Sequence, residues 1–311
     1  MDLAIVVVSY NVCALTRGCL ESLYAALAHD ALAGHVWVVD NASADGSAEM
    51  VRETFPQATL LASPENLGFA GGANLALAAI AEHPDAPRHV LILNPDTLIA
   101  PDALGHLVRF LDAHPRAGLV GGRLEYGDGA FQHGAFTFPT LPMLFLDFWP
   151  VNHRLTDSRL NGRYPRALYE AGEPFPIDHP LGAAMMARWE AVQGVGPLET
   201  DYFMYCEEID WCLRFRRAGW GIYCVPRARI THLAGQSTRQ FRERMFVALW
   251  RSRLMLYDRY YSPAYRALAR RIVRAGMRRD ARRVRAGLAR GEVSPEEARR
   301  RLDALQRVME M

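Results

Sequence analysis

Four short apolar runs, Leu3–Val8, Val36–Val39, Thr59–Ala62 and Val90–Leu93, alternate with stretches of helical spacing through the first third of the chain. Leu3–Val8 is apolar throughout, as a strand covered on both faces must be. The intervening stretches run to about Ala28, with Leu15, Cys19, Leu20 and Leu23 on one face, then from Asp45-Gly46-Ser47 to about Phe55 and from about Gly72 to Ala81. A further helix is expected over Pro101–Ala113. Strands and helices alternating at this spacing predict βαβ units around a parallel sheet, an α/β fold. Parallel strands all end on one edge. The loops Ser9-Tyr10-Asn11, Asp40-Asn41-Ala42-Ser43, Asn66–Asn74 and Asn94-Pro95-Asp96-Thr97 therefore converge, although they span 90 residues. Polar loops gathered at that edge predict a binding cleft.

The fourth run is the most informative of these strand ends. Pro95 cannot donate to a sheet ladder and biases Asn94 away from helix, so the strand stops there and leaves Asp96 at its carboxyl end. A carboxylate so placed can hold a divalent cation against a phosphate; it can equally close an Asx-type turn before the next helix. Gly68, Gly71 and Gly72 precede the third helix, which permits close backbone approach to an anion or serves chain geometry alone. A dinucleotide fold would carry its glycines after the first strand. The loop there is Ser9-Tyr10-Asn11-Val12-Cys13, which argues against a nicotinamide enzyme.

Beyond residue 118 the pattern changes. Gly121–Leu124 and Tyr126–Ala130 read as strand, turn and strand, and 139–176 lack periodicity, as a substrate-facing insert would. Ala183–Ala187 is apolar, with a short helix from Arg188. Glu207-Glu208-Ile209-Asp210 opens an amphipathic helix that Gly219 is placed to end. A strand over Trp220–Val225 follows, and Ile230–Ser237, including His232, closes the globular core. Residues 239–260 have helical spacing through Phe241, Met245 and Leu249, and Ser294-Pro295 is a helix-start signature.

A formal net charge of +2 suits neither a nucleic-acid binder nor an acidic-tail protein, and the absence of any lysine excludes Schiff-base and P-loop chemistry. Five cysteines without a C-x-x-C pair point to a reducing compartment rather than a zinc site or disulfide framework. The opening residues are too short an apolar run for a signal peptide, and no segment approaches the roughly 20 apolar residues needed to span a bilayer. A soluble or peripheral protein is expected.

Taken together, V-V-V-S-Y-N, V-V-D-N-A-S-A-D-G-S, N-L-G-F-A-G-G-A-N, L-N-P-D-T, the acid cluster at 207–210 and His232 resemble glycosyltransferase family 2. Within it, the chain looks most like the rhamnosyltransferase-like members that decorate bacterial surface polysaccharides. The resemblance covers roughly Leu3 to Arg259. It implies a GT-A fold, a mixed and mostly parallel sheet between helices, with a C-terminal helical extension. The implied domains are a catalytic one over 1–238, nucleotide-binding to 115 and acceptor-binding or catalytic from 116, and an Arg-rich extension over 239–311.

By the same resemblance the enzyme is an inverting, metal-dependent hexosyltransferase. It would use a UDP- or dTDP-sugar, a saccharide or lipid-linked acceptor, and Mg²⁺ or Mn²⁺. Asp96 and His232 match the metal positions. Asp40 matches the reader of the pyrimidine base, with Ser9 and Asn11 in the same pocket. Asn66, Gly68 and Asn74 approach base or ribose, and Asn94 stands where many relatives carry the first Asp of an Asp-x-Asp. Glu208 is the expected general base, with Asp210 in support; a pair Glu207-Glu208 departs from the family's usual shorter acid. The implied location is cytoplasmic, with peripheral contact at the inner face of the membrane. The Arg-rich tail reads as a solvated face, a surface for anionic membrane, or an oligomer contact. The competing reading is a catalytically silent nucleotide- or carbohydrate-binding protein with the same fold.

Overall fold

The computed structural model describes residues 1–150, 152–233 and 242–311, with the expected domain boundary at 238 and Phe241 outside that range. The chain divides into two units: 1–138, 164–203 and the described part of 207–237 form the first, and 139–163, 204–206 and the described residues from 242 form the second. The first unit begins β1 (Leu3–Ser9), α1 (Cys13–His29), β2 (Gly34–Asp40), α2 (Ser47–Thr54), β3 (Thr59–Ala62), α3 (Gly68–Ala81) and β4 (His89–Leu93). These are the four strands and three helices that the apolar periodicity predicts. β5 (Thr97–Ile99) and α4 (Ala103–Ala113) follow, then β6 (Ala117–Glu125), β7 (Phe131–Gln132) and β8 (Ala135–Phe136).

The insert at 139–176 is not irregular: it holds α5 (Leu141–Phe148), α6 (His153–Thr156), α7 (Arg166–Glu170) and β9 (Phe175–Pro176). Periodicity is hard to read there because the helices are only one or two turns long. β10 (His179–Pro180), β11 (Ala184–Arg188), α8 (Trp189–Val195), α9 (Glu207–Arg217) and β12 (Gly221–His232) complete the first unit. The strand expected over Trp220–Val225 thus runs on to His232.

The sheet is mixed, in the order β3-β2-β1-β4-β11-β6-β12-β5. β3, β2, β1 and β4 are mutually parallel, β11 is antiparallel to β4 and β6, and β12 is parallel to β6. Period-2 alternation sorts the side chains. Leu3, Ile5 and Val7 meet α1 and α4 residues such as Leu20 and Leu104 on one face, while Ala4, Val6 and Val8 meet α3 residues such as Ala73 and Leu77 on the other. Both faces are covered, which is why β1 is buried along its whole length.

The register fixes the functional edge. Ser9 lies opposite Asp40, Asp40 opposite Ala62, and Val7 opposite Leu93, so the loops leaving β1, β2, β3 and β4 emerge together. Ala184 pairs with Leu93, which brings the Gly182-Ala183 segment entering β11 to the same edge. β5, which no sequence pattern announces, pairs antiparallel with the end of β12 and sets His232 opposite Thr97.

The second unit has its own apolar cluster, in which Leu144 and Phe148 of α5 pack with Trp250, Val273, Met277 and Leu305. These come from α10 (Arg242–Tyr260), α11 (Pro263–Ala289) and α12 (Pro295–Met309). Ser294 caps α12 as its sequence suggests, its Oγ accepting from the Glu297 amide at 3.2 Å. No described helix is long and apolar enough to cross a membrane.

Candidate active site

Asp96 follows the proline that ends β4, and it is buried. Its backbone carbonyl accepts from the Leu233 amide at 2.9 Å, which ties it to the residue after β12. Its Oδ1 has no hydrogen-bond partner and lies 3.5 Å from Nε2 of the equally buried His232. The other ring nitrogen, Nδ1, is 3.2 Å from Gln132 Oε1. An amide oxygen can only accept, so Nδ1 carries a proton, and in the neutral tautomer the lone pair of Nε2 faces Asp96. A lone pair and an unpartnered carboxylate oxygen facing one another suit a shared divalent cation, with Gln132 fixing the tautomer behind the ring. Among the described residues no third His, Cys, Asp or Glu joins them, so a cation held here would draw its remaining ligands from elsewhere. Beneath this turn Cys19 is buried against the Asn94 carbonyl and Thr97, and burial raises its thiol to about 12. It is a packing residue.

Asp40 ends β2 and is also buried; Oδ2 accepts from the Ser43 amide at 3.0 Å, while Oδ1 has no partner. The neighbouring Asn41 donates from Nδ2 to the Gly68 carbonyl at 2.9 Å and likewise leaves Oδ1 unpartnered. An unmatched buried acceptor costs about 1–3 kcal/mol. Unmatched acceptors on two consecutive residues at this edge suit a ligand with N–H and O–H groups, and Asn41 is a candidate residue that sequence reasoning missed. Its one signal is its place directly after a strand-end Asp. Ala42 and Asn11 both sit in the left-handed region, at φ 63° and 52°, a strained conformation for non-glycine residues. Asn11 Oδ1 accepts from the Ala44 amide at 2.7 Å, stitching the first two loops together.

Several expected residues serve the scaffold. Ser9 is fully buried and its hydroxyl pairs with Thr16 Oγ1 at 2.8 Å, under α1 and not at the cleft surface. Asn74 spends both ends of its amide on the backbone of Leu198, at 2.7 and 2.9 Å. Asn94 contributes through its backbone, its N–H donating to the Ala183 carbonyl at 2.8 Å. Asn66 Oδ1 accepts from the Gly68 amide at 2.9 Å and shapes the loop. α3 starts four residues earlier than expected, so Gly71 and Gly72 lie inside the helix. A Cβ on Gly72 would stand 2.8 Å from Val8 Cγ1, so this glycine lets α3 pack tightly on β1.

Gly68 matters differently. Its φ is +72°, and a Cβ there would meet the Phe203 carbonyl oxygen at 2.3 Å. That carbonyl accepts from the Phe69 amide at 3.1 Å. The head of α3 and the segment leading into α9 are thereby held together.

At the head of α9, Glu208 packs its side chain 3.6–3.8 Å from where a Gly182 Cβ would lie. Because Gly182 adjoins Ala183, whose carbonyl holds Asn94, one short segment runs beside the Glu208 side chain and into the turn before Asp96. Glu207 is buried, with Oε2 unpartnered. Burial, and then the charge of Glu208, push its carboxyl well above the usual range. Burial thus favours the neutral form of Glu207, beside the more exposed Glu208. Asp210, expected to support catalysis, is buried and paired with Arg214 Nε at 2.8 Å. Arg214 in turn donates to the carbonyls of Val195 and Pro197. Asp210 anchors the turn after α8; the i,i+4 spacing on α9 points it there.

The family model for glycosyl transferase family 2 matches residues 4–172, more than half of the chain. The chain belongs to glycosyl transferase family 2. Among curated members, it is 29% identical over 214 residues to the N-acetylglucosaminyl-diphospho-decaprenol L-rhamnosyltransferase of Mycobacterium tuberculosis, covering 65% of this chain and 67% of the relative. Rhamnosyltransferase WbbL of Escherichia coli is 26% identical over 183 residues, 58% of this chain and 66% of the relative. Among solved structures, a mannosyltransferase from Pyrobaculum calidifontis in complex with GDP-Man and Mn²⁺ superposes with TM-score 0.56 at 19% identity, covering 99% of this chain and 85% of the other. Staphylococcus aureus TarS 1-349 gives 0.50 at 15% identity, with 99% and 80% covered. The expected GT-A fold is therefore the observed one. Glu208 and His232 lie beyond the residues matched by the family model, so their placement at the edge rests on the tertiary structure.

Proposed function

We propose that this family 2 glycosyltransferase moves a sugar, rhamnose first among candidates, from a UDP- or dTDP-linked donor to a saccharide or lipid-linked acceptor with inversion. The family supports glycosyl transfer, and two curated relatives are rhamnosyltransferases. The observation that carries the mechanism is the unpartnered Asp96 Oδ1 facing His232 Nε2 at the strand-end edge. These two residues would hold a divalent cation, Mg²⁺ or Mn²⁺; when bound it supplies positive charge against the donor's diphosphate. The solved mannosyltransferase is in complex with GDP-Man and Mn²⁺, in keeping with this reading. Asp40 and Asn41 offer acceptors to the N–H and O–H groups of base and ribose.

Glu208 takes the proton from the attacking acceptor hydroxyl. The acceptor oxygen forms its bond to the anomeric carbon as the bond to the diphosphate oxygen breaks, and the nucleoside diphosphate leaves with that electron pair. One displacement inverts the centre. Beside it, burial disfavours the charged form of Glu207 and so works against a second negative charge next to the base.

The test is nucleoside-diphosphate release from a panel of nucleotide sugars, with and without Mn²⁺, for the wild type, Asp96→Ala and Glu208→Gln. Each variant is expected to lose activity by about 10²-fold or more, the scale of a missing general base. Activity unchanged in both variants refutes the assignment.

A further inference from the structure

On α11, Arg271, Arg274, Arg278, Arg282 and Arg285 recur at intervals of three and four residues. At 100° per residue they occupy an arc of roughly 80° along about 21 Å of helix. All five are exposed, and none forms an ion pair among the described residues. Other arginines of the same helix differ: Arg266 and Arg270 pair with Asp258, and Arg283 with Asp280.

Ala267 lies within this arc, and Ala275 and Leu268, the last 46% exposed, lie about 20–40° beyond one edge, with no acid among them. One border is aromatic. The Arg279 guanidinium lies 5.8 Å from the ring of Trp149, which stacks at 4.9 Å on the 45% exposed Phe145. At the other border Glu310 lines one groove with Arg274, Arg278, Arg282 and Arg285, where it accepts from Gln306 at 2.7 Å and forms no ion pair with them.

Like charges at i,i+4 weaken a helix by a few tenths of a kcal/mol per pair. A row of them that no ion pair relieves is complementary to an external plane of negative charge. Exposed Leu and Phe, with Trp at the border, suit a plane that has an apolar layer beneath its phosphates, where basic amphipathic helices settle. We propose that this face of α11 docks the protein on an anionic phospholipid bilayer. The inference stands apart from the catalytic reading, since none of these residues belongs to the candidate active site.

Sedimentation of the full chain with vesicles tests it. Phosphatidylcholine vesicles containing phosphatidylglycerol should bind the protein, pure phosphatidylcholine should not, and added salt should release it. The triple variant R278Q/R282Q/R285Q should lower partitioning on the order of 100-fold, about 1 kcal/mol for each arginine. Phe145→Ser should weaken binding to the same vesicles while leaving its salt dependence unchanged. Equal binding to both vesicle types, no binding at low salt, or an unaffected triple variant each overturns the proposal. So does tighter binding to an oligonucleotide than to the vesicles, or loss of self-association in the triple variant with no change at the vesicle surface. The lipid and salt dependence of the wild type decides the matter even if a variant fails to fold.

Discussion

Gly68→Ala separates positioning from stability at the candidate site. At φ +72° an L residue costs about 1–2 kcal/mol, from the crowding of Cβ against its own backbone. The added Cβ would stand 2.3 Å from the Phe203 carbonyl oxygen, which must retreat by about 1 Å to reach ordinary contact. Retreat also breaks the 3.1 Å bond from the Phe69 amide, worth about 1 kcal/mol. The total is about 2–3 kcal/mol, a fall in Tm of roughly 4–12 °C for a unit of this size. Phe203 lies five residues ahead of Glu208, and a 1 Å displacement of a reacting group can cost about 10²-fold in kcat. Calorimetry and steady-state nucleotide release, both below the variant's Tm, read the two effects. Gly129→Ala is the control, at φ +79° with nothing within 4 Å of its Cβ; it should lose about 1 kcal/mol and no activity. If Gly68→Ala lowers Tm but leaves kcat at the wild-type value, the head of α9 is not positioned through this contact.

Other consequences concern the carboxyl groups. Glu207 is held above its ordinary value by burial, so between its unfolded and folded pKa the native state binds the extra proton and stability falls as pH rises. Glu207→Gln cannot ionise; its Tm should exceed that of the wild type at pH 8, and the gap should close as pH is lowered toward 4. Asp210→Ala removes the buried partner of Arg214, which keeps its two carbonyl contacts, and should cost about 2–3 kcal/mol in urea denaturation with little change in kcat. A large loss of kcat at unchanged stability would return Asp210 to the catalytic set. With two protein ligands, Mn²⁺ should bind the apo protein weakly and more tightly once UDP or dTDP is present; tight apo binding by calorimetry contradicts the Asp96–His232 site.

The sheet of the nucleotide half was legible because its strands are continuous apolar runs and its helices are long enough to show a period. Leu3–Val8, Val90–Leu93 and the acid-led helix at 207 each declare themselves within a dozen residues. Pro95 alone locates the end of β4. Less was legible where elements are short: α5, α6, α7 and β5 span three to eight residues, too few for any period to accumulate.

What the sequence determined by itself is the parallel half-sheet, the edge on which its loops meet and the residue types available there, since these follow from local patterning and chain connectivity. What only the tertiary structure decided is which of those residues face one another. His232 reaches Asp96 because three residues of β5 pair antiparallel with the end of β12, across more than 130 positions of sequence. Glu208 packs beside Gly182, next to the Ala183 whose carbonyl holds Asn94, and the Phe203 carbonyl is tied to the head of α3 by the Phe69 amide, contacts that no side-chain pattern encodes. Hydrogen bonding bears on the reverse cases: Ser9 and Asn74 look like ligand-binding residues in sequence and Asp210 like a catalytic one, yet each is engaged by a partner within the fold. A polar side chain's role depends on whether the fold satisfies it, and that is a property of its neighbours in space.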